Sequence, residues 1–170
     1  MITNQASAGW RGTAAPWRPT APLFLLQPLL KRIVRHVARR HPELMTRLGE
    51  HQKSRFIIDP KDLPFVLYLR ADPQRPELRA MARRTLPTHD ARITATLFQL
   101  VRMIDGQQDG DALFFSRDLA ITGNTEAVVS LRNAIDNVDG SLAATVADMF
   151  GGPGRIVLVL MRRRARSRFA

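Results

Sequence analysis

Asp109 to Asn137 reads DGDALFFSRDLAITGNTEAVVSLRNAIDN, and this stretch decides the fold. Leu113-Phe114-Phe115 is a compact apolar cluster. Leu119-Ala120-Ile121-Thr122 reads as a strand, and Gly123 ends it. Asn124 or Thr125 can cap the helix that follows, with Glu126 placed in its first turn against the positive end of the helix dipole. Val128, Leu131, Ala134, Ile135 and Val138 then fall on one face at helical spacing.

Working outward, the segment before it is strongly helical. Leu97, Leu100, Val101 and Ile104 sit at i, i+3, i+4 and i+7, Phe98 widens the stripe, and Gly106 is placed to cap the C-terminus. Residues 105–111 form an acidic turn. Upstream the period changes to two: Arg55–Ile58, Phe65–Arg70 and Ala91–Thr96 read as strands, while 77–84 reads as a helical turn ended by Pro87. Residues 42–51 read as a short helix striped by Leu44, Met45 and Leu48.

Residues 23–40 read as an amphipathic helix. Leu26, Leu29, Leu30, Ile33, Val34 and Val37 face one way, and Lys31, Arg32, Arg35, Arg39 and Arg40 fill the other side. Pro28 suits an early helical position and Pro42 stops the helix. Downstream, residues 141–150 read as helical and Gly151-Gly152-Pro153-Gly154 as a break. The apolar run Ile156–Met161 fits an added strand, a buried helix or an inserted wedge. Four segments result: a tail over 1–22 with Trp10 and Trp17, a basic helix over 23–41, a domain over 42–150 and an Arg-rich extension over 151–170.

Composition narrows the function. The chain has 170 residues and no cysteine, which excludes disulfides, thiolate metal sites and a cysteine nucleophile. No apolar run approaches the ~20 residues of a membrane span. The first apolar stretch starts late and is broken by Pro22 and Pro28, unlike a secretory signal, so a cytoplasmic protein, peripheral at the inner membrane, is expected. Net charge is +11, divided as +8 over residues 1–58, −3 over 59–154 and +6 over 155–170. The excess sits at the two ends, so Lys31, Arg32, Arg35, Arg39, Arg162, Arg163 and Arg164 are candidates for contact with an anionic membrane surface.

Catalytic chemistry has no positive signal. His36, His41, His51 and His89 show no metal-binding spacing. The glycines at 151–154 lack a following Gly-Lys-Ser/Thr, and Ser116 lies outside a Gly-x-Ser-x-Gly elbow. No catalytic residue, metal or cofactor is assigned, and the chain is not expected to be an enzyme.

The run from Asp109 to Asn137 resembles the C-terminal half of sterol carrier protein-2 domains, with helix 97–104, Phe114-Phe115-Ser116, strand 119–122 with Gly123-Asn124, and helix 125–137 in family order. The strands upstream fit that family's meander, and the resemblance covers roughly residues 42–137. It implies an α+β fold: a small, mostly antiparallel sheet of about five strands covered by helices, with an apolar tunnel. By position, Phe98, Val101, Ile104, Leu113, Phe114, Phe115, Ile121, Leu131 and Ile135 are its lipid-binding candidates. Within the family the chain is most similar to the bacterial UbiT subgroup, accessory factors of oxygen-independent ubiquinone biosynthesis. That similarity implies a non-enzymatic protein that binds a polyprenyl lipid or ubiquinone precursor beside ubiquinone-biosynthesis hydroxylase proteins. A nucleic-acid-binding module acting through the basic ends is the alternative, disfavoured by the acidic middle. A general lipid or sterol carrier outside ubiquinone synthesis is another, and the basic ends would also suit docking to acidic protein partners.

Overall fold

Alternating side chains in the first half of the chain build the sheet on which the candidate site rests. The computed structural model describes residues 23–105 and 119–166. In chain order these form α1 (Leu23–Arg40), α2 (Pro42–Arg47), a 3₁₀ turn (Gly49–Lys53), β1 (Arg55–Pro60), β2 (Val66–Arg70), β3 (Glu77–Met81), β4 (Ala91–Ala95), α3 (Leu97–Asp105), β5 (Ala120–Gly123), α4 (Thr125–Asp136), α5 (Leu142–Asp148) and α6 (Gly151–Arg166).

The five strands lie in the order β3-β2-β1-β4-β5. β1, β2 and β3 form an antiparallel meander, with Phe56 opposite Leu69 and Leu69 opposite Leu78. The chain then returns so that β4 runs parallel to β1, Phe56 beside Ala91, and β5 adds antiparallel to β4 with Ile93 opposite Ile121. The sheet is therefore mixed but mostly antiparallel, in line with the expectation.

Because side chains alternate along a strand, this register gives the sheet two different faces. Phe56, Ile58, Leu69, Ala91, Ile93, Ala95 and Ile121 join the larger core with Leu44, Met45 and Leu48 from the α2 region, Leu100 from α3, and Val128, Leu131 and Ile135 from α4. Ile57, Val66 and Tyr68 point the other way and are covered by Met81 and Leu86. Each fully buried side chain of this size contributes about 1.5–3 kcal/mol, and Phe56, Leu48, Ile57, Ile93 and Val66 are among those sealed from solvent.

Helix ends are fixed by polar side chains. Asn124 Oδ1 accepts the Ala127 N–H at 3.0 Å, starting α4, and Ser141 Oγ accepts the Ala144 N–H at 3.1 Å, starting α5. Buried His41, at the α1–α2 junction, places Nδ1 3.2 Å from Glu43 Oε1 and Nε2 3.0 Å from Thr145 Oγ1 on α5. α1 lies against β3, where Gln27 Nε2 donates to the Ala80 carbonyl at 2.8 Å and gives the outer strand's backbone a partner.

Three local expectations are corrected. Residues 77–84 do not form a helical turn: Glu77–Met81 is β3. The free edge of β2 supplies hydrogen bonds, and Leu78 and Ala80 alternate toward the helices, which outweighs local helix propensity. Residues 42–51 divide into α2 and a 3₁₀ turn rather than one helix. Gly151–Gly154 is not a break but the first turn of α6. Pro153 occupies an early position that needs no N–H donor. Gly154 lets the helix settle onto α5, since a Cβ there would overlap the Ala147 carbonyl oxygen.

Candidate functional site

The apolar ground between α3, β5 and α4 is the candidate site. β5 ends at Gly123, and the capped turn at Asn124 starts α4, whose Leu131 and Ile135 share one core cluster with Ile121 and Ile93. Ile104, Ile121, Leu131 and Ile135 belong to one continuous apolar cluster. Val101 packs instead with Ala143, Ala147 and Leu158, and Ile104 touches both groups. Phe98, Val101, Met103 and Ile104 are only half-buried, whereas Leu131 and Ile135 are buried. An apolar helix face left half-covered beside a filled core is the kind of surface that an aliphatic chain can extend. Leu113, Phe114 and Phe115, with the Gly106 cap, lie outside the described residues.

Of the basic candidates, Lys31, Arg32, Arg35 and Arg39 are exposed along α1, and Arg163 is exposed on α6. Arg162 has another partner. Its Nε donates to Asp105 Oδ2 at 2.9 Å and its Nη2 to Oδ1 at 2.6 Å, while Ser141 Oγ donates to the same Oδ1 at 2.5 Å. This network ties the end of α3 to the start of α5 and to α6. For Arg164 only the helical backbone is described.

The network makes a pH prediction. Burial on its own would raise the Asp105 pKa, but the hydrogen bonds from Arg162 and Ser141 hold it below the ordinary carboxylate value. A carboxyl lowered in the folded state stabilises the fold above its unfolded pKa of about 3.9, and that contribution disappears as pH falls through the folded value. Stability therefore stays level near neutrality and drops on acidification. Urea melts of wild type and Asp105→Asn at pH 7 and pH 3 check this, with a smaller acid loss expected in the variant. Parallel losses would sink the assignment.

A second polar cluster was not foreseen. Asp59 on β1 is buried, with Arg83 Nε 3.0 Å and Nη2 2.8 Å from Oδ1 and Arg92 Nη2 donating to Oδ2. Burial raises the Asp59 pKa, and the Arg92 and Arg83 hydrogen bonds bring it below its ordinary value. Nothing in the spacing of residues 59, 83 and 92 signals this, because the pairing depends on β4 lying parallel to β1.

An open cleft of about 520 Å³ lies among Glu50, Lys53, Ser54, Arg55, Arg70, Asp90 and Asn124. Its charges are largely matched: Arg55 Nη2 meets Asp90 Oδ1 at 3.0 Å, and Arg70 Nη2 meets Asp72 Oδ2 at 2.9 Å. None of the six described apolar candidates lines it. Nearby, the fold brings ligand atoms of Glu50, His51 and Glu126 within 4.8 Å of one another. Both glutamates are exposed and so remain hydrated. The six described apolar candidates carry no ionisable side chain, and what their arrangement offers chemically is apolar surface.

Comparison with known proteins follows this geometry. The profile of the SCP-2 sterol transfer family matches residues 30–136, from the middle of α1 to the end of α4. No curated protein matches by sequence. Among solved structures, a UbiJ-SCP2 ubiquinone synthesis protein aligns with a TM-score of 0.50 and 20% identity, covering 70% of this chain and 93% of that one. The sterol carrier protein domain 2 of Helicoverpa armigera aligns with a TM-score of 0.48 and 14% identity over 68% of this chain and 91% of its own. At such identities the likeness to the first is one of fold.

Proposed function

The chain belongs to the SCP-2 sterol transfer family, and from that premise we propose that it is a non-enzymatic lipid-binding accessory factor. It holds a polyprenylated ubiquinone precursor and presents it in oxygen-independent ubiquinone biosynthesis, in the manner of the UbiT subgroup. The observation that carries this reading is the union of Ile104, Ile121, Leu131 and Ile135 in one apolar cluster, with Ile104 also touching the group that holds Val101, and with Phe98 half-buried on the same helix α3. The ubiquinone-synthesis role named for the solved UbiJ-SCP2 protein points to the same lipid class.

The physics is area burial. An isoprenoid tail gains ~25 cal/mol for each Å² taken out of water, and a cluster of branched aliphatic side chains suits its methyl-studded outline. The candidate residues include no acid or base, so the protein would contribute solubility and presentation, leaving chemistry to partner hydroxylases. Exposed Lys31, Arg32, Arg35 and Arg39 can bring the carrier to an anionic surface, each contributing ~1 kcal/mol near the membrane. That attraction weakens with salt. The nucleic-acid alternative loses part of its basis, since Arg162 is engaged with Asp105.

Organic-solvent extraction of the purified protein followed by mass spectrometry tests the reading. A stoichiometric prenylated lipid is expected, and titration with a prenylated hydroxybenzoate should saturate. Absence of lipid together with no binding on titration would end the proposal. Saturable binding of sterols alone would shift it to a general carrier.

A further inference from the structure

A helix packed on a water-soluble core ordinarily turns its apolar stripe inward. α6 does the reverse. Ile156, Val157, Val159 and Leu160 are 62%, 56%, 46% and 57% exposed. The inward side instead carries Leu158, packed on Ala143 and Ala147, and Arg162, bonded to Asp105. Leu158 and Arg162 are one turn apart on the same side. The ion pair and the leucine therefore fix the helix's rotation and hold the aliphatic residues outward. Ile156, Leu160 and Arg163 follow one another along that outer face, and Phe150, just before the helix, is exposed as well.

We propose that the outer face of α6 is a docking surface for an anionic lipid bilayer. The four aliphatic side chains enter the interface, and exposed Arg163 meets headgroup phosphates, whereas Arg155 is paired with Asp148 at 2.6 Å. Charge decides between a bilayer and a second copy of the chain. Residues 155–170 hold six arginines and no acid, and the whole chain carries +11, so self-association would oppose like charges. A bilayer carrying anionic lipid supplies both the negative charge and the apolar layer. No helix among the described residues is long and apolar enough to cross a membrane, so α6 would lie in the interface plane. The surface lies outside the family match, which ends at residue 136, and on the side of α6 opposite Leu158, which packs in the group holding Val101 and Ile104. α1 repeats the arrangement, with exposed Phe24, Leu25 and Leu29 preceding its basic half, and α5 packs against both helices.

Flotation of the full chain with vesicles tests this. With phosphatidylcholine containing about 30% phosphatidylglycerol, strong binding is expected, and with phosphatidylcholine alone, weak binding. Ile156→Ser/Leu160→Ser should reduce partition about tenfold by removing apolar insertion without changing charge. Both sites are exposed, so the Leu158 and Arg162 contacts remain. Ile156→Trp supplies a second readout, with a blue shift of the new emission expected on anionic vesicles only. Failure of wild type to float, unchanged flotation of the serine variant, an unshifted Ile156→Trp spectrum, or a wild-type dimer that the serine variant dissolves would each overturn the proposal. Lipid extracted from the serine variant should match wild type, so failure of docking and failure of the carrier role are read separately.

Discussion

Asp59→Ala unfolds with about 3 kcal/mol less stability than wild type, at the low end of the cost of stripping one partner from a buried ionic cluster. The carboxylate is 6% exposed, and it neutralises two guanidinium groups at once, Arg83 and Arg92. Alanine would leave both without their acid. Arg83 retains the Leu63 and Pro60 carbonyls at 2.6 and 2.5 Å, but a carbonyl dipole does not replace a full negative charge. The cost stops near the lower limit because the arginines are 35% and 34% exposed, and water screens part of their repulsion. Urea unfolding at pH 7 measures it. A triple replacement, Asp59→Leu/Arg83→Met/Arg92→Leu, should recover most of the loss, since removing all the charges removes the uncompensated ones. A loss under about 0.5 kcal/mol in the single variant, typical of an exposed pair, would show that the cluster is a surface feature. Failure of the triple to recover would show that hydrogen bonding to the Leu63 and Pro60 carbonyls is what matters there.

The contrast between readable and hidden features follows the range of the forces involved. Helix stripes and caps are local, so α1, α3 and α4 could be placed from residue spacing, and the cap could be narrowed to Asn124 or Thr125, of which the structure selects Asn124. β1, β2 and β4 showed themselves by alternation. β3 did not, because Glu-Leu-Arg-Ala-Met satisfies a helical period as well as an alternating one, and only the vacant edge of β2 decides between them. Gly151–Gly154 misled for a similar reason. Helix propensity counts those residues as breakers, whereas the close approach of α6 to α5 at Gly154 needs a residue without a side chain. The charge clusters were hidden altogether. Asp105, Ser141 and Arg162 are separated by 36 and 57 positions, and their meeting is a product of packing. Of the candidates that the family resemblance implied, Ile121, Leu131 and Ile135 fall in one apolar cluster, because one strand–turn–helix unit carries all three. The outward rotation of α6 was not, because the Arg162–Asp105 pair that sets it reverses the usual inference from an apolar run.

Gly123→Ala should cost roughly 3 kcal/mol, combining backbone strain of about 1–3 kcal/mol with part of a helix cap worth about 1 kcal/mol. Gly123 has φ +86°, and a Cβ built there would overlap the Asp90 carbonyl oxygen and crowd the Ala91 Cα. That carbonyl already accepts the Asn124 N–H at 2.8 Å. Moving it away displaces Asn124, whose side chain holds the first turn of α4. The disturbance thus passes from one backbone atom of the β4 entry to the helix carrying Leu131 and Ile135. Gly140 provides the control: its φ is +93°, but nothing lies within 4 Å of a Cβ there. Gly140→Ala should therefore show strain alone, about 1 kcal/mol. Urea melts of the two variants separate overlap from strain, and equal losses would discard the overlap argument. Lipid retention then connects the turn to function. If α4 forms one wall of the lipid site, Gly123→Ala protein that is still folded at low temperature should lose bound lipid faster than Gly140→Ala protein. Matching release rates would mean that the position of α4 does not govern the site, and the candidate wall would have to be sought on α3 alone.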